Sequence, residues 1–317
     1  MINWDAIPKP KVCESFLKAE EIKGFFVEEK MKRSWASMIL VLWYVTKVCE
    51  IYNIPYFADY GTLLGTIRHG GFIPWDDDID IAVKRKDYMR LIPILQKELP
   101  KECVVYSFYT QESYDVPKAF VTNRKYIDFG NSSKEAQITK KFYNCPYVVG
   151  VDIFPFDEVP RDDKEKELLL AVYGGIYDAA FRFNELKERG ELEDYIHRIN
   201  DTTGTKLTID ENNLQTKLWR LSDKVAMMYD ESECDSYVWL PDVAASGDFS
   251  ISRKKEWLDD FLKLPFEYID LQVPIGYNEI LKKNYGQDYL SPRQAKAGHD
   301  YPFYAVQDEK IRTWRQL

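Results

Sequence analysis

Apolar and polar positions follow two different periods along the chain, and each period predicts its own kind of element. Residues 15–52 carry apolar side chains at helical spacing and read as one or two helices. The most apolar part, Ser34 to Cys49, is bounded by Lys32, Arg33, Lys47 and Glu50. It falls short of the roughly 20 apolar residues that a membrane span needs, so it is expected to be a buried helix. Tyr56 to Tyr60 reads as a strand, Gly61-Thr62 as a turn and Leu63 to His69 as a short helix ended by Gly70-Gly71. Pro74 keeps the next residues extended, and Asp78 to Val83 alternates as a strand. Asp87 is placed to cap a helix running through Leu99. Cys103 to Tyr109, Lys118 to Asn123 and Tyr147 to Phe154 read as strands.

Beyond them, 164–198 and 212–230 read as helical, with a bend at Gly174-Gly175, and Gly204 to Asn213 as a polar loop. In the tail, Trp257 to Leu262 reads as helix, Phe266 to Val273 as extended and Tyr277 to Tyr285 as helix. The pattern is α+β: a mixed sheet flanked by helices, then a helical C-terminal region. Four segments follow from it: a helical 1–53, a sheet-bearing core at 54–160, a helical 161–235, and 236–317 packing back on the core.

Composition narrows the function classes. The 317 residues include 43 Lys and Arg against 52 Asp and Glu, a net charge of −9. Such a balance disfavours nucleic acid as a partner, although an anionic nucleotide can still bind where a metal supplies positive charge. The five cysteines show no CxxC pairing, which fits a reduced compartment better than a disulfide framework or a zinc site. The first ten residues hold no apolar run of signal-peptide type, so a cytoplasmic location is expected.

The chemistry concentrates in Trp75-Asp76-Asp77-Asp78-Ile79-Asp80-Ile81. On a strand, alternate side chains share a face, which groups Asp76, Asp78 and Asp80, while Ile79, Ile81 and Val83 point to a core. A solvated acidic loop has no use for β-branched residues at every second place. Same-face carboxylates about 6.5 Å apart can converge on one cation or a close pair, and an all-oxygen donor set suits Mg²⁺ or Mn²⁺. Just upstream, Gly61-Thr62 opens a helix whose N-terminus favours a phosphate. Asp152, between Val151 and Ile153, is a lone carboxylate on an apolar strand and needs a cation as partner, either a metal or an arginine such as Arg124. Arg68, Lys118 and Arg124 are candidates to hold phosphates. Trp75 is the first ring to examine for a cation cage.

A Gly-Thr turn, then Asp-Ile-Asp-Ile, then Val-Asp-Ile resembles the polymerase-β-like nucleotidyltransferase superfamily. Within it, residues 59–81 resemble the signature of the LicD family nearly letter for letter. Val151 to Pro155, Leu264 to Glu267 and Tyr285-Gly286 resemble its later elements, so the likeness spans about residues 35–300. The resemblance implies that 54–160 is a nucleotidyltransferase-like catalytic core and 236–317 a LicD-type region. It implies transfer of a phosphoalcohol, phosphocholine first, from CDP-choline or another CDP-alcohol to a sugar hydroxyl of a cell-surface glycan or its lipid-linked precursor. The metal-binding acids then fall on Asp76, Asp78, Asp80 and Asp152, with Asp78, Asp80 and Asp152 catalytic. A lipid-linked acceptor would bring the protein to the inner face of the membrane in peripheral contact. Transfer of a nucleoside monophosphate, or a non-catalytic role in glycan assembly, are the competing readings.

Overall fold

The computed structural model describes residues 1–293 and 301–316. The apolar run becomes helix α1 (Glu29–Ile51), buried on nearly every side rather than along one stripe. It is long and apolar enough to cross a membrane by composition, but here protein surrounds it. Before it, β1 (Glu20–Ile22) and β2 (Phe25–Val27) form a hairpin where a helix is expected. Lys23 and Gly24 turn that hairpin with φ of 51° and 83°, a left-handed pair that suits a two-residue turn.

Strand β3 (Phe57–Ala58), helix α2 (Tyr60–His69) and strand β4 (Asp80–Lys84) follow. The helix starts three residues earlier than its apolar pattern suggests, and the strand two residues later than Asp78. Helix α3 (Arg85–Glu98), strands β5 (Val104–Tyr106) and β6 (Ala119–Thr122), helix α4 (Ser133–Lys141) and the long strand β7 (Gly150–Pro160) come next. Helices α5 (Asp163–Phe181), α6 (Phe183–Arg189), α7 (Leu192–Thr203) and α8 (Leu214–Ala226) form a separate layer. Helix α5 runs through Gly174-Gly175 without a break. Strand β8 (Cys234–Val238), helix α9 (Leu240–Ser246), strand β9 (Arg253–Lys254), strands β10 (Phe261–Phe266) and β11 (Ile269–Pro274), and helices α10 (Tyr277–Tyr285) and α11 (Tyr304–Arg315) complete the described chain. The helix expected over Trp257 to Leu262 is instead the end of a 3₁₀ turn, a bend at 258–260 and the start of β10, where Phe261–Phe266 pairs residue by residue with Ile269–Pro274.

The fold is α+β, with a curled mixed sheet of seven strands flanked by helices. Its order is β3-β4-β7-β6-β5, with β8 and β9 continuing from the far half of β7. Only β4 and β7 run parallel; the other pairs are antiparallel. Strand β7 is therefore the spine, with β4 on one side and β6 then β8 on the other. Two cores follow. One surrounds α1 and takes Val83 from β4, Val151 and Ile153 from β7, and Phe266 and Leu271 from the C-terminal hairpin. The other lies among α5 to α9 and receives only Val159 and Val238 from the sheet.

Candidate active site

The parallel pairing of β4 and β7 sets Asp80 directly opposite Asp152. Asp80 is the first residue of β4 and Asp152 the third of β7, and local hydrogen bonds hold that register. Asp80 N donates to Thr62 Oγ1 at 2.8 Å, Asp59 N to the Asp80 carbonyl at 3.1 Å, and Asp152 N to the Ile79 carbonyl at 2.9 Å. Thr62 is thus a buried tie between α2 and the acidic strand. Because β4 begins at Asp80, Asp76 and Asp78 reach the site from the preceding loop rather than from a common strand face. That loop is anchored from far away: Trp35 of α1 donates to the Asp76 carbonyl at 3.0 Å and stacks flat on Phe72, ring centroids 4.5 Å apart.

Glycines permit two close approaches. A Cβ on Gly61 would lie 2.4 Å from Asp76 Oδ2, so the bare backbone of α2 makes room for that carboxylate. A Cβ on Gly71 would lie 2.2 Å from Glu267 Oε1, and Glu267 in turn accepts from Phe72 N at 3.0 Å. The Leu-Pro-Phe-Glu element of the C-terminal hairpin therefore clamps the Gly-Gly turn. Asp77, on the same loop, is buried and accepts from Phe303 N at 2.6 Å.

The acidic cluster is electrostatically loaded. Burial, then the neighbouring Asp78 charge, pushes Asp76 well above the usual carboxylate range. Burial, then Asp78 and Asp152, does the same to Asp80, while Lys118 opposes the shift. Lys118 Nζ sits 2.9 Å from Asp152 and 4.5 Å from the Phe154 ring centroid. Below the cluster, Arg253 reaches Asp59 at 2.6 Å in a buried ion pair, so Asp59 spends its carboxylate there instead of capping α2.

These acids border a cavity of about 600 Å³. Gly61, Arg68, Trp75, Asp76, Asp78, Asp80 and Lys118 all line it. Asp152 joins through Lys118, and Thr62 lies beneath. Arg124 does not join them. It is fully buried, donates to Thr139 Oγ1 at 2.8 Å and stands 3.8 Å from Glu135, so it braces β6 against α4. The structure thus corrects its reading as a phosphate holder and as the partner of Asp152, a place Lys118 takes. Arg68 donates to the Tyr289 carbonyl at 3.1 Å. His69, beside it, is pushed down to about 4 by burial and then by Arg68, which suits packing better than proton transfer near neutrality. His299 lies outside the described residues. Sequence reading missed Tyr60, Phe154, Trp239, Asp242, Tyr285 and Arg293, which also line the cavity. Tyr60, Phe154 and Tyr285 lie inside the quoted motifs; Trp239, Asp242 and Arg293 carry no local signal.

The donor chemistry fits a hard divalent cation. The carboxylates of Asp76, Asp78, Asp80 and Asp152 offer only oxygen, and the excess proton affinity of Asp76 and Asp80 marks a site short of positive charge. Among the described residues, no three acidic, imidazole or thiol groups already converge on one point. Lys118 is the cation that Asp152 meets in this structure, at 2.9 Å.

Residues 53–169 match the family described as LicD/FKTN/FKRP, nucleotidyltransferase domain. The chain is 30% identical over 268 residues to the lipopolysaccharide cholinephosphotransferase LicD of Haemophilus influenzae, covering 82% of this chain and 91% of that protein. A shorter stretch of 44 residues is 43% identical to the human ribitol 5-phosphate transferase FKRP, 14% of this chain and 9% of that one. The chain belongs to the LicD family.

Proposed function

We propose that this protein transfers phosphocholine from CDP-choline to a hydroxyl of a glycan or its lipid-linked precursor, with Mg²⁺ or Mn²⁺, releasing CMP. The supporting observation is the facing of Asp80 and Asp152 across parallel strands, with Asp76, Asp78 and Asp80 on one cavity and Asp152 tied to it through Lys118. The LicD relative's activity agrees with it. We read β3-α2-β4 with β7 as a polymerase-β-like nucleotidyltransferase core. The working location is the cytoplasmic face of the membrane, where a lipid-linked acceptor would be met.

Asp76, Asp78, Asp80 and Asp152 would hold the metal, which when bound offsets charge growing on the phosphoryl oxygens and on the departing CMP. Lys118 and Arg68 bring positive charge to the donor diphosphate. The acceptor oxygen forms a bond to the phosphorus bearing choline as the bond to the CMP oxygen breaks. Asp76 and Asp152 are the two carboxylates placed to take the hydroxyl proton, Asp152 being ion-paired with Lys118 at 2.9 Å. Burial and Asp78 raise the proton affinity of Asp76 in the metal-free fold, and a bound cation would lower it again.

Purified protein with Mn²⁺, a sugar acceptor and a panel of CDP-alcohols is expected to release CMP fastest from CDP-choline. Release of diphosphate from a nucleoside triphosphate, with no CMP from any CDP-alcohol, would replace this reading with nucleotidyl transfer. Gly61→Ala gives a second check. Alanine favours a helix by about 1 kcal/mol over glycine, but its Cβ would displace the Asp76 carboxylate. CMP release is expected to fall by about 10²-fold, the cost of an ångström-scale misplacement, while the melting temperature holds. Unchanged release would remove Asp76 from the chemistry.

A further inference from the structure

The cavity lining combines unlike groups. Arg68 and Arg293 are suited to phosphate and nucleotide. Tyr60, Phe154 and Trp239 meet one another, with Tyr60 bonded to the Asp242 carboxylate. The Phe154 and Trp239 rings cross edge to face at 89° with centroids 4.9 Å apart, and Tyr60 meets Phe154 at 4.9 Å and 53°. Three rings set at such angles form a concave corner, not a flat stack.

Their polar edges are already engaged. Trp239 Nε1 donates to the Pro117 carbonyl at 3.0 Å, and Tyr60 OH donates to Asp242 Oδ2 at 2.6 Å. The rings and one carboxylate line the cavity, with the Lys118 ammonium over Phe154 at 4.5 Å and the Arg253 guanidinium over Tyr60 at 5.4 Å, so a ligand head group would take the place of Lys118 as that lysine turns to the donor phosphates. That surface suits a cation unable to donate hydrogen bonds, which is what a quaternary ammonium is. The corner already tolerates positive charge, since the Lys118 ammonium lies over Phe154 at 4.5 Å. Its position also fits: Phe154 follows Asp152 by two residues on β7, so the two side chains share one face about 6.5 Å apart, on the scale of a phosphocholine arm.

We propose that the Tyr60–Phe154–Trp239 corner closed by Asp242 binds the cationic head of the transferred alcohol, and that Asp242 selects a quaternary ammonium over a neutral polyol. This rests on the phosphoalcohol reading above. Asp242→Asn separates charge from scaffold, because an amide oxygen can still accept from Tyr60. Trp239→Leu removes a ring face instead.

Dissociation constants for CDP-choline and CDP-glycerol are measured with Mn²⁺ present, alongside melting temperature. Each variant is expected to weaken CDP-choline by about tenfold, the worth of a desolvated cation–π or charge contact, and CDP-glycerol by no more than about twofold. Equal losses on both donors, or none on either, would overturn the proposal. If the wild-type protein binds neither donor, the functional reading itself falls. The corner is then judged by tetramethylammonium, followed through tryptophan fluorescence: binding lost in Asp242→Asn supports it, and no binding to wild type refutes it.

Discussion

Asp80→Asn is expected to lower CMP release by about 10³-fold, the effect of losing several kcal/mol of transition-state stabilisation, while raising the melting temperature of the metal-free protein. The two effects share one cause. Asp80 is buried at the closest approach of the acidic strands, and burial, Asp78 and Asp152 all raise its proton affinity in the fold. A carboxyl that holds its proton more tightly when folded contributes most to stability below its unfolded value near 3.9. That contribution is lost as pH rises through the higher folded value. At neutral pH without metal the cluster therefore destabilises the fold, and asparagine relieves it. Calorimetric melts should show wild-type stability declining as pH rises from about 4, with a flatter profile for the variant. Mn²⁺ at a hundred times its dissociation constant should stabilise the wild type by about 2.7 kcal/mol and the variant far less. Full turnover in Asp80→Asn, or equal stabilisation of both proteins by Mn²⁺, would sink the metal assignment.

What could be read beforehand depended on the distance over which each feature is built. The alternation of Ile79, Ile81 and Val83 against the acids is local, and it placed a strand with its apolar side chains in the core. The grouping of Asp76 and Asp78 with Asp80 came from treating the loop as strand. The structure brings them to the same cavity by a different route, through Trp35, 41 residues upstream of Asp76. The Tyr60–Asp242 contact spans 182 residues, and no window of sequence contains it. Arg124 could not be told from an exposed arginine, because its burial depends on α4 folding over β6. The β1–β2 hairpin did carry a signal in Lys23-Gly24, hidden by the apolar run that begins a few residues later. The family signature contains Tyr60 and Phe154 but not Trp239 and Asp242, with which they form the aromatic corner.

Arg85→Met is expected to destabilise the protein by about 3–5 kcal/mol, the usual cost of stranding buried charges. Arg85 stands at the start of α3 and reaches Asp157 on β7 at 2.5 Å and Asp223 on α8 at 2.9 Å, all three almost completely buried. Tyr109 adds a hydrogen bond to the second Asp223 oxygen. This is the polar joint between the catalytic sheet and the helical layer, where the second core otherwise draws only Val159 and Val238 from the strands. Removing the guanidinium leaves two carboxylates facing each other without a counter-charge, so one must take a proton or the layers must part to admit water. The loss should therefore be greatest above neutral pH and smaller in acid, the opposite of a simple cavity defect. Replacing Asp157 and Asp223 by leucine as well as Arg85 by methionine removes the charges together, and buried ion networks exchanged for apolar packing are often neutral in stability. Urea melts of the single and triple variants separate the two accounts. Recovery in the triple variant means that stranded charge, rather than lost volume, caused the damage. Equal destabilisation in both would show that the joint holds by shape. Because β7 carries Asp152 five residues before Asp157, loosening this joint should also slow CMP release before the protein unfolds.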